Sequence, residues 1–255
     1  MYTLKKSLGQ HFLRDENIVR KIIGALQEHS FTQLLEVGPG GGALTRHLLS
    51  LPGVDLKAVE LDKEKVAYLL EHYPALEGRL LQQDFLKMDI PFSTPFTVVG
   101  NFPYNISSQI LFTMVDWCVQ LQSMVGMFQK EVAQRAAAKP GSKTYGVLSV
   151  LIQAFFTVEY LFDVAPGCFD PPPKVMSGVI RLIPREQPPA MRSAADFTLL
   201  VKTAFGQRRK TLRNALKPLF DAQVLADPFF DQRAERLHVE DFGALSFRMR
   251  TNPNA

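Results

Sequence analysis

The chain has 255 residues, 46% of them hydrophobic, and a formal net charge of +4, which describes an ordinary soluble globular protein with room for one sizeable α/β core and a smaller second unit. There is no apolar run of about 18 residues and no apolar segment behind the lysines of residues 1–6, so no membrane span or signal peptide is expected and the protein is read as cytoplasmic. Only Cys118 and Cys168 are present, without Cys or His at ligand spacing, so neither a metal site nor a disulfide framework is expected, while the positive charge suits a polyanionic partner.

From about residue 33 onward, short apolar runs alternate with helical patterns, the rhythm of a parallel sheet covered by helices. Strands are predicted at 33–37, 54–60, 79–83, 96–100 and 123–128, and helices at 43–49, 63–72, 107–117 and 130–138. This is a doubly wound α/β domain. The runs 155–164 and 175–183 are expected to form a closing antiparallel pair around a proline-stiffened loop, 165–174. A Pro-rich linker at 184–189 then separates a domain of residues 1–185 from a small helical domain of residues 190–255.

Three features share the carboxyl-end rim of that sheet, where open α/β sheets hold ligands. Gly38-Pro39-Gly40-Gly41-Gly42-Ala43 turns from the first predicted strand into a helix, and its glycines allow a ligand close to the backbone. Read literally, this loop also satisfies the dinucleotide fingerprint, with Glu60 suited to a ribose hydroxyl pair; a turn needed only for tight helix packing would look the same. Asp84, ending the third strand, can accept from an adenine amino group, although a loop acid or helix cap could stand there too. A glycine loop, an acid after strand two and an acid after strand three form the layout of S-adenosylmethionine enzymes, whose cationic cofactor tolerates nearby carboxylates.

Asn101-Phe102-Pro103-Tyr104 follows the fourth strand onto the same rim. The Asn101 side-chain carbonyl and the Phe102 backbone carbonyl form an acceptor pair for an exocyclic adenine amine, a poor nucleophile until its nitrogen becomes more tetrahedral. Tyr104 offers a flat face to a base taken out of its stack, and Pro103 stiffens the loop.

With these motifs in order, the chain resembles the bacterial small-subunit (16S) rRNA adenine N6,N6-dimethyltransferases over most of its length. The resemblance is carried by Ser7-Leu8-Gly9-Gln10-His11-Phe12-Leu13, Glu36-Val37-Gly38-Pro39-Gly40, Glu60-Leu61-Asp62, Gln83-Asp84-Phe85 and Asn101-Phe102-Pro103-Tyr104-Asn105-Ile106-Ser107. Gln129-Lys130-Glu131-Val132, Phe169-Asp170-Pro171-Pro172-Pro173-Lys174-Val175 and Ala204-Phe205-Gly206-Gln207-Arg208-Arg209-Lys210-Thr211-Leu212 continue it. It implies a Rossmann-like methyltransferase domain with a small helical C-terminal domain, and dimethylation of two adjacent adenosines near the 3′ end of 16S rRNA during small-subunit assembly. S-adenosyl-L-methionine is the implied cofactor, the partner is rRNA within an assembling subunit, no membrane is involved, and a monomer is expected. Cofactor contacts are implied at His11, Leu13, Gly38, Gly40, Glu60, Leu61, Asp84, Phe85 and Asn101. The catalytic set is Asn101, Phe102, Tyr104 and Phe169, with Tyr104 and Phe169 sandwiching the flipped adenine. The chain departs from the family pattern in Phe102, where leucine is usual, and in Gly41-Gly42. A narrowed pocket with a slower second methylation, and an unusually flexible loop, are the expected consequences.

Residues 197–220 hold six Lys or Arg and no Asp or Glu. If helical, Arg209, Arg213 and Lys217 line one flank beside an apolar face, and Arg208, Arg209, Lys210 and Arg213 are the candidate RNA contacts. A basic solvated face is the plainer reading of such a run. Competing functions are dimethylation of large-subunit rRNA, an RNA-binding assembly checkpoint with secondary methyl transfer, and a nicotinamide-dependent dehydrogenase, which would have no use for Asn101 and Tyr104.

Overall fold

The structure, a computed structural model, describes residues 11–250; Lys5, Lys6 and the first four residues of the motif beginning at Ser7 lie outside them. The described chain opens with a two-residue strand, β1 (Phe12–Leu13), and a helix, α1 (Glu16–Gln27). The Asp15 carboxylate caps α1 by accepting from the backbone N–H groups of Asn17 and Ile18, and Val19, Ile22, Ile23 and Leu26 bury one face at helical spacing. There follow β2 (Gln33–Val37), α2 (Thr45–Leu48), β3 (Asp55–Glu60), α3 (Lys63–His72), β4 (Leu80–Gln82), β5 (Phe96–Asn101), α4 (Ser107–Asp116) and β6 (Leu121–Gln129). Asp62 caps α3 as Asp15 caps α1. The chain continues through α5 (Lys130–Ala136), α6 (Val147–Gln153), β7 (Phe156–Val164), β8 (Phe169–Asp170) and β9 (Ser177–Pro184).

Seven strands form one sheet in the order β4-β3-β2-β5-β6-β9-β7, and β1 pairs antiparallel with β8 as a separate ribbon. β4, β3, β2, β5 and β6 run parallel, and their near-continuous apolar sequences follow from burial on both faces. The order reverses at β2, whose neighbours are β3 and β5, so the ends of β2 and β5 flank a crevice. The closing strands β7 and β9 lie side by side as expected, and β9 also pairs antiparallel with β6, so that it stands between β6 and β7. The predicted helix over 43–49 is a single turn, because the glycine-rich stretch before Thr45 is spent on a turn. Two helices that the strand rhythm hides, α1 and α6, are also present.

The chain divides into two compact units. The first holds the residues up to Gln134 together with Val158–Pro184. The second gathers Arg135–Thr157 with the chain from Arg185 onward, including α7 (Ala194–Gly206), α8 (Leu212–Ala215), α9 (Ala222–Leu225) and α10 (Val239–Ser246). The segment 135–157, read from sequence as part of the first domain, contributes Tyr145, Val150, Leu151 and Ala154 to a core shared with Phe197, Leu200, Val201, Phe220 and Phe242. Among the described residues no helix is long and apolar enough to cross a membrane.

In the first unit a buried arginine ties α1 to the sheet. Arg181 of β9, 4% exposed, donates to Glu28 at 2.6 Å, to Glu159 at 2.8 Å and to the carbonyl of Ala25 at 2.7 Å. Arg181→Ala would leave a hole and an unpaired buried carbonyl. It is expected to lower unfolding stability by roughly 2–4 kcal/mol, measured by urea denaturation.

Candidate active site

A cavity of about 540 Å³ opens at the carboxyl ends of β2, β3, β4 and β5. It is lined by His11, Leu13, Gly38, Gly40, Glu60, Leu61, Asp84, Phe85 and Asn101, with Phe102 and Tyr104 at its β5 side, so all nine cofactor candidates and three of the four catalytic candidates share one wall system. The fourth, Phe169, is elsewhere. It pairs with Leu13 across the β1–β8 ribbon, and its ring is 1% exposed within the core formed with Leu13, Val164 and Val179. The antiparallel register turns it inward, so neither ring face is open to a base in this state.

The loop after β2 is shaped for close approach. Gly38 has φ +68°, and no atom lies within 4 Å of where its Cβ would be, which leaves that wall free. Gly42 answers the expectation of a flexible loop differently: at φ +81° a Cβ would stand 2.3 Å from the Tyr73 ring, so the position is glycine because the ring packs on it.

Glu60 accepts from the backbone N–H groups of Asp62 at 3.1 Å and Gly40 at 3.4 Å, and its Oε2 lies 3.6 Å from the Lys65 ammonium. Both side chains are nearly inaccessible. Glu36 of β2 also lines the cavity; its Oε2 accepts from the Thr45 hydroxyl at 2.7 Å. Burial, opposed by that hydrogen bond and reinforced by the charge of Glu60, pushes the Glu36 carboxyl up to about 8. Two neighbouring carboxyls are therefore separated by their surroundings, Glu36 being the protonated one at neutral pH. Asp84 plays the cap it was set against and still lines the cavity: Oδ1 accepts from Leu86 N–H at 3.0 Å while Oδ2 lies 3.6 Å from Lys87 Nζ.

Asn101, the last residue of β5, donates from Nδ2 to the His11 carbonyl at 3.0 Å. That bond assigns the amide's nitrogen end to the protein and leaves Oδ1 as its acceptor end. His11 in turn donates from Nδ1 to the Pro171 carbonyl at 2.8 Å. The His11 ring also stands 5.8 Å from that of Tyr104 at 33°. The Tyr104 hydroxyl shares a 2.6 Å hydrogen bond with Ser177, and burial raises its pKa, so the phenol stays neutral.

Phe102 does not narrow the cavity as expected. Its ring is 1% exposed, 4.9 Å from Phe128, and it fills space above Gly100 and Gly126, where added Cβ atoms would come within 2.8 and 2.4 Å of it. Gly100 and Gly126 leave the room that this ring occupies.

In the second unit the basic segment does not bring Arg209, Arg213 and Lys217 onto one helix. α8 is one turn, Leu212–Ala215, which leaves Arg209 and Lys217 outside. Arg213 spends its guanidinium internally, on Asp231 at 2.7 Å and on the carbonyl of Leu225. Arg208 donates to the Lys143 carbonyl at 2.6 Å, whereas Arg209 and Lys210 are exposed. Sequence reasoning passed over Glu36, Thr45 and Lys65; a carboxylate before the glycine turn and a lysine two residues after a helix's first were the available signals.

A family model described as ribosomal RNA adenine dimethylase matches residues 1–245. A "Ribosomal RNA small subunit methyltransferase A" of Parabacteroides distasonis is 50% identical over 246 residues, covering 95% of this chain and 92% of that protein. One of the same description from Cytophaga hutchinsonii is 48% identical, covering 93% and 94%. Among solved structures, a dimethyladenosine transferase from Plasmodium falciparum superposes with TM-score 0.75 at 27% identity, over 91% of this chain and 94% of that one. The 23S rRNA methyltransferase ErmE, at TM-score 0.72 and 24% identity over 93% and 99%, shares the fold.

Two outcomes follow from the packing. Gly126→Ala is expected to displace Phe102 and cost about 1–3 kcal/mol of stability, read from the denaturation midpoint. For Glu36, a carboxyl raised in the folded state binds its proton more tightly there than when unfolded. Its stabilising contribution is therefore whole below the unfolded value and is lost as pH rises toward about 8. Glu36→Gln, which cannot ionise, should gain in melting temperature relative to the parent chain as pH is raised through that window.

Proposed function

The chain belongs to the ribosomal RNA adenine dimethylase family, and from that membership we propose that it dimethylates N6 of two adjacent adenosines near the 3′ end of 16S rRNA within an assembling small subunit. It is read as a monomeric cytoplasmic enzyme. The carrying observation is the Asn101 amide, held by His11 so that its oxygen is the free end, on the same cavity as Glu60 and Asp84.

The methyl donor is S-adenosylmethionine, which supplies an electrophilic methyl group on a sulfonium. The cavity suits it: Gly38 leaves an open backbone wall, Glu60 offers a carboxylate for a ribose diol, and Asp84 stands where an adenine amine can be met. Asn101 Oδ1 and the Phe102 carbonyl accept the two N–H groups of the target adenine, returning lone-pair density to N6 and aiming it. Tyr104 acts through its ring, since its hydroxyl is engaged by Ser177 and stays protonated. Stacking there contributes roughly 1–3 kcal/mol. No general base is needed, because N6 becomes acidic only once methylated, and its proton can then leave to solvent. Holding the reactants in line accounts for on the order of 7–11 kcal/mol of barrier lowering. With Phe169 packed in the core, Tyr104 is the stacking face, and Phe169 anchors the β1–β8 ribbon that brings His11 to Asn101. Of the four candidate RNA contacts in the second unit, Arg209 and Lys210 are exposed to meet phosphates, while Arg208 and Arg213 brace the segment that carries them.

The test is incubation with labelled S-adenosylmethionine and undermethylated small subunits, followed by mass spectrometry of the nucleosides. Dimethyladenosine at two adjacent positions is expected, and no transfer to this RNA would overturn the proposal. Asn101→Ala should still bind subunits but lose roughly 10²–10³-fold in turnover, as when one stabilising contact is removed from a reacting centre.

A further inference from the structure

Lys65 breaks two local rules at once. It sits in the first turn of α3, where the helix dipole disfavours a cation, and it is 5% exposed, where an ammonium loses its hydration. Burial accordingly lowers its pKa, against the pull of Glu60 and Asp62. A residue placed so unfavourably is held by what it touches. Its ammonium lies 3.6 Å from Glu60 Oε2 and 5.5 Å from the centre of the Phe12 ring, and the side chain lines the cavity.

We propose that Lys65 is a positioning residue for the methyl donor: its ammonium holds the Glu60 carboxylate turned so that it can accept both ribose hydroxyls, while Phe12 of the β1 strand covers the pair. The charged groups facing this carboxylate are few. Glu36, protonated at neutral pH, approaches from β2, and Asp62 offers its backbone N–H from the turn before α3 while its own carboxylate brings a negative charge close by. Without the lysine, two buried carboxyls would face each other, and Glu60 would take up a proton as Glu36 does. A protonated Glu60 would spend one oxygen as a donor and could not receive the diol as a two-point acceptor. The inference rests on the reading of Glu60 as the ribose acceptor.

The experiment is isothermal calorimetry of the full chain with S-adenosylmethionine, in two buffers of different ionisation enthalpy, from about pH 6 to about pH 8. Lys65→Met keeps the aliphatic stem and removes the charge. It is expected to weaken binding about tenfold at neutral pH, with the deficit growing as pH falls, and to release more protons on binding than the parent chain does. Lys65→Arg should restore most of the affinity and the parent proton balance, which a purely packing role for the stem would not predict. If the Met variant does not fold, Lys65→Gln carries the same comparison. Unchanged affinity and proton release in the charge-removing variant, alongside weakened binding in Glu60→Gln, would overturn the role of Lys65 alone. Unchanged binding in Glu60→Gln would instead remove the ribose reading on which it stands.

Discussion

The site depends on the register of three parallel strands. Glu36 of β2 lies level with Ala58 of β3 and Val99 of β5, and Val37 with Val59. Gly38, Glu60 and Asn101, which follow on those strands, therefore reach one edge together. Parallel hydrogen bonding leaves no freedom to shift one strand without turning its side chains to the other face. A slip of one residue in β5 would point Asn101 away from the His11 carbonyl and bury an amide without a partner. The apolar runs of β2 and β5 thus do more than fill a core, since they determine which atoms meet at the crevice.

The same edge separates charges that would otherwise compete. Glu36 and Glu60 come from adjacent strands and share a wall, yet one is enclosed with a hydroxyl and the other has an ammonium and two backbone donors. Environment, not residue type, divides their roles. A neutral Glu36 beneath the glycine loop adds no further negative charge there, while Glu60, beside its ammonium, faces the cavity.

Much of this was legible in the chain. The parallel strands announce themselves as short apolar runs, and Gly38, Glu60, Asp84 and Asn101 stand at their ends by simple counting. What was hidden depends on distant partners. β1 and β8 pair two residues against two, and nothing local at Leu13 names Phe169 as its neighbour across more than half the chain. Nor does anything local at Phe169, a candidate stacking face, show that its ring lies 1% exposed beside Leu13. Arg213 carries the same lesson, because a cation in an acid-free stretch looks free until Asp231 folds back onto it. α1 is the contrary case, a helix whose Asp15 cap and apolar spacing were visible but lay before the strand rhythm began.

The division of the chain carries a consequence for how such a protein can be altered as a whole. The backbone passes between the two units three times, after Gln134, after Thr157 and after Pro184. The second unit is therefore no cassette to be added or removed at a single peptide bond. A cut at Pro184 would strand Tyr145, Val150 and Leu151 without the helices that enclose them, exposing apolar surface on a fragment that still carries the whole cavity. Recombination that exchanges this unit between relatives must carry both of its pieces, so the C-terminal helices and the α6-bearing segment 135–157 are expected to be inherited together.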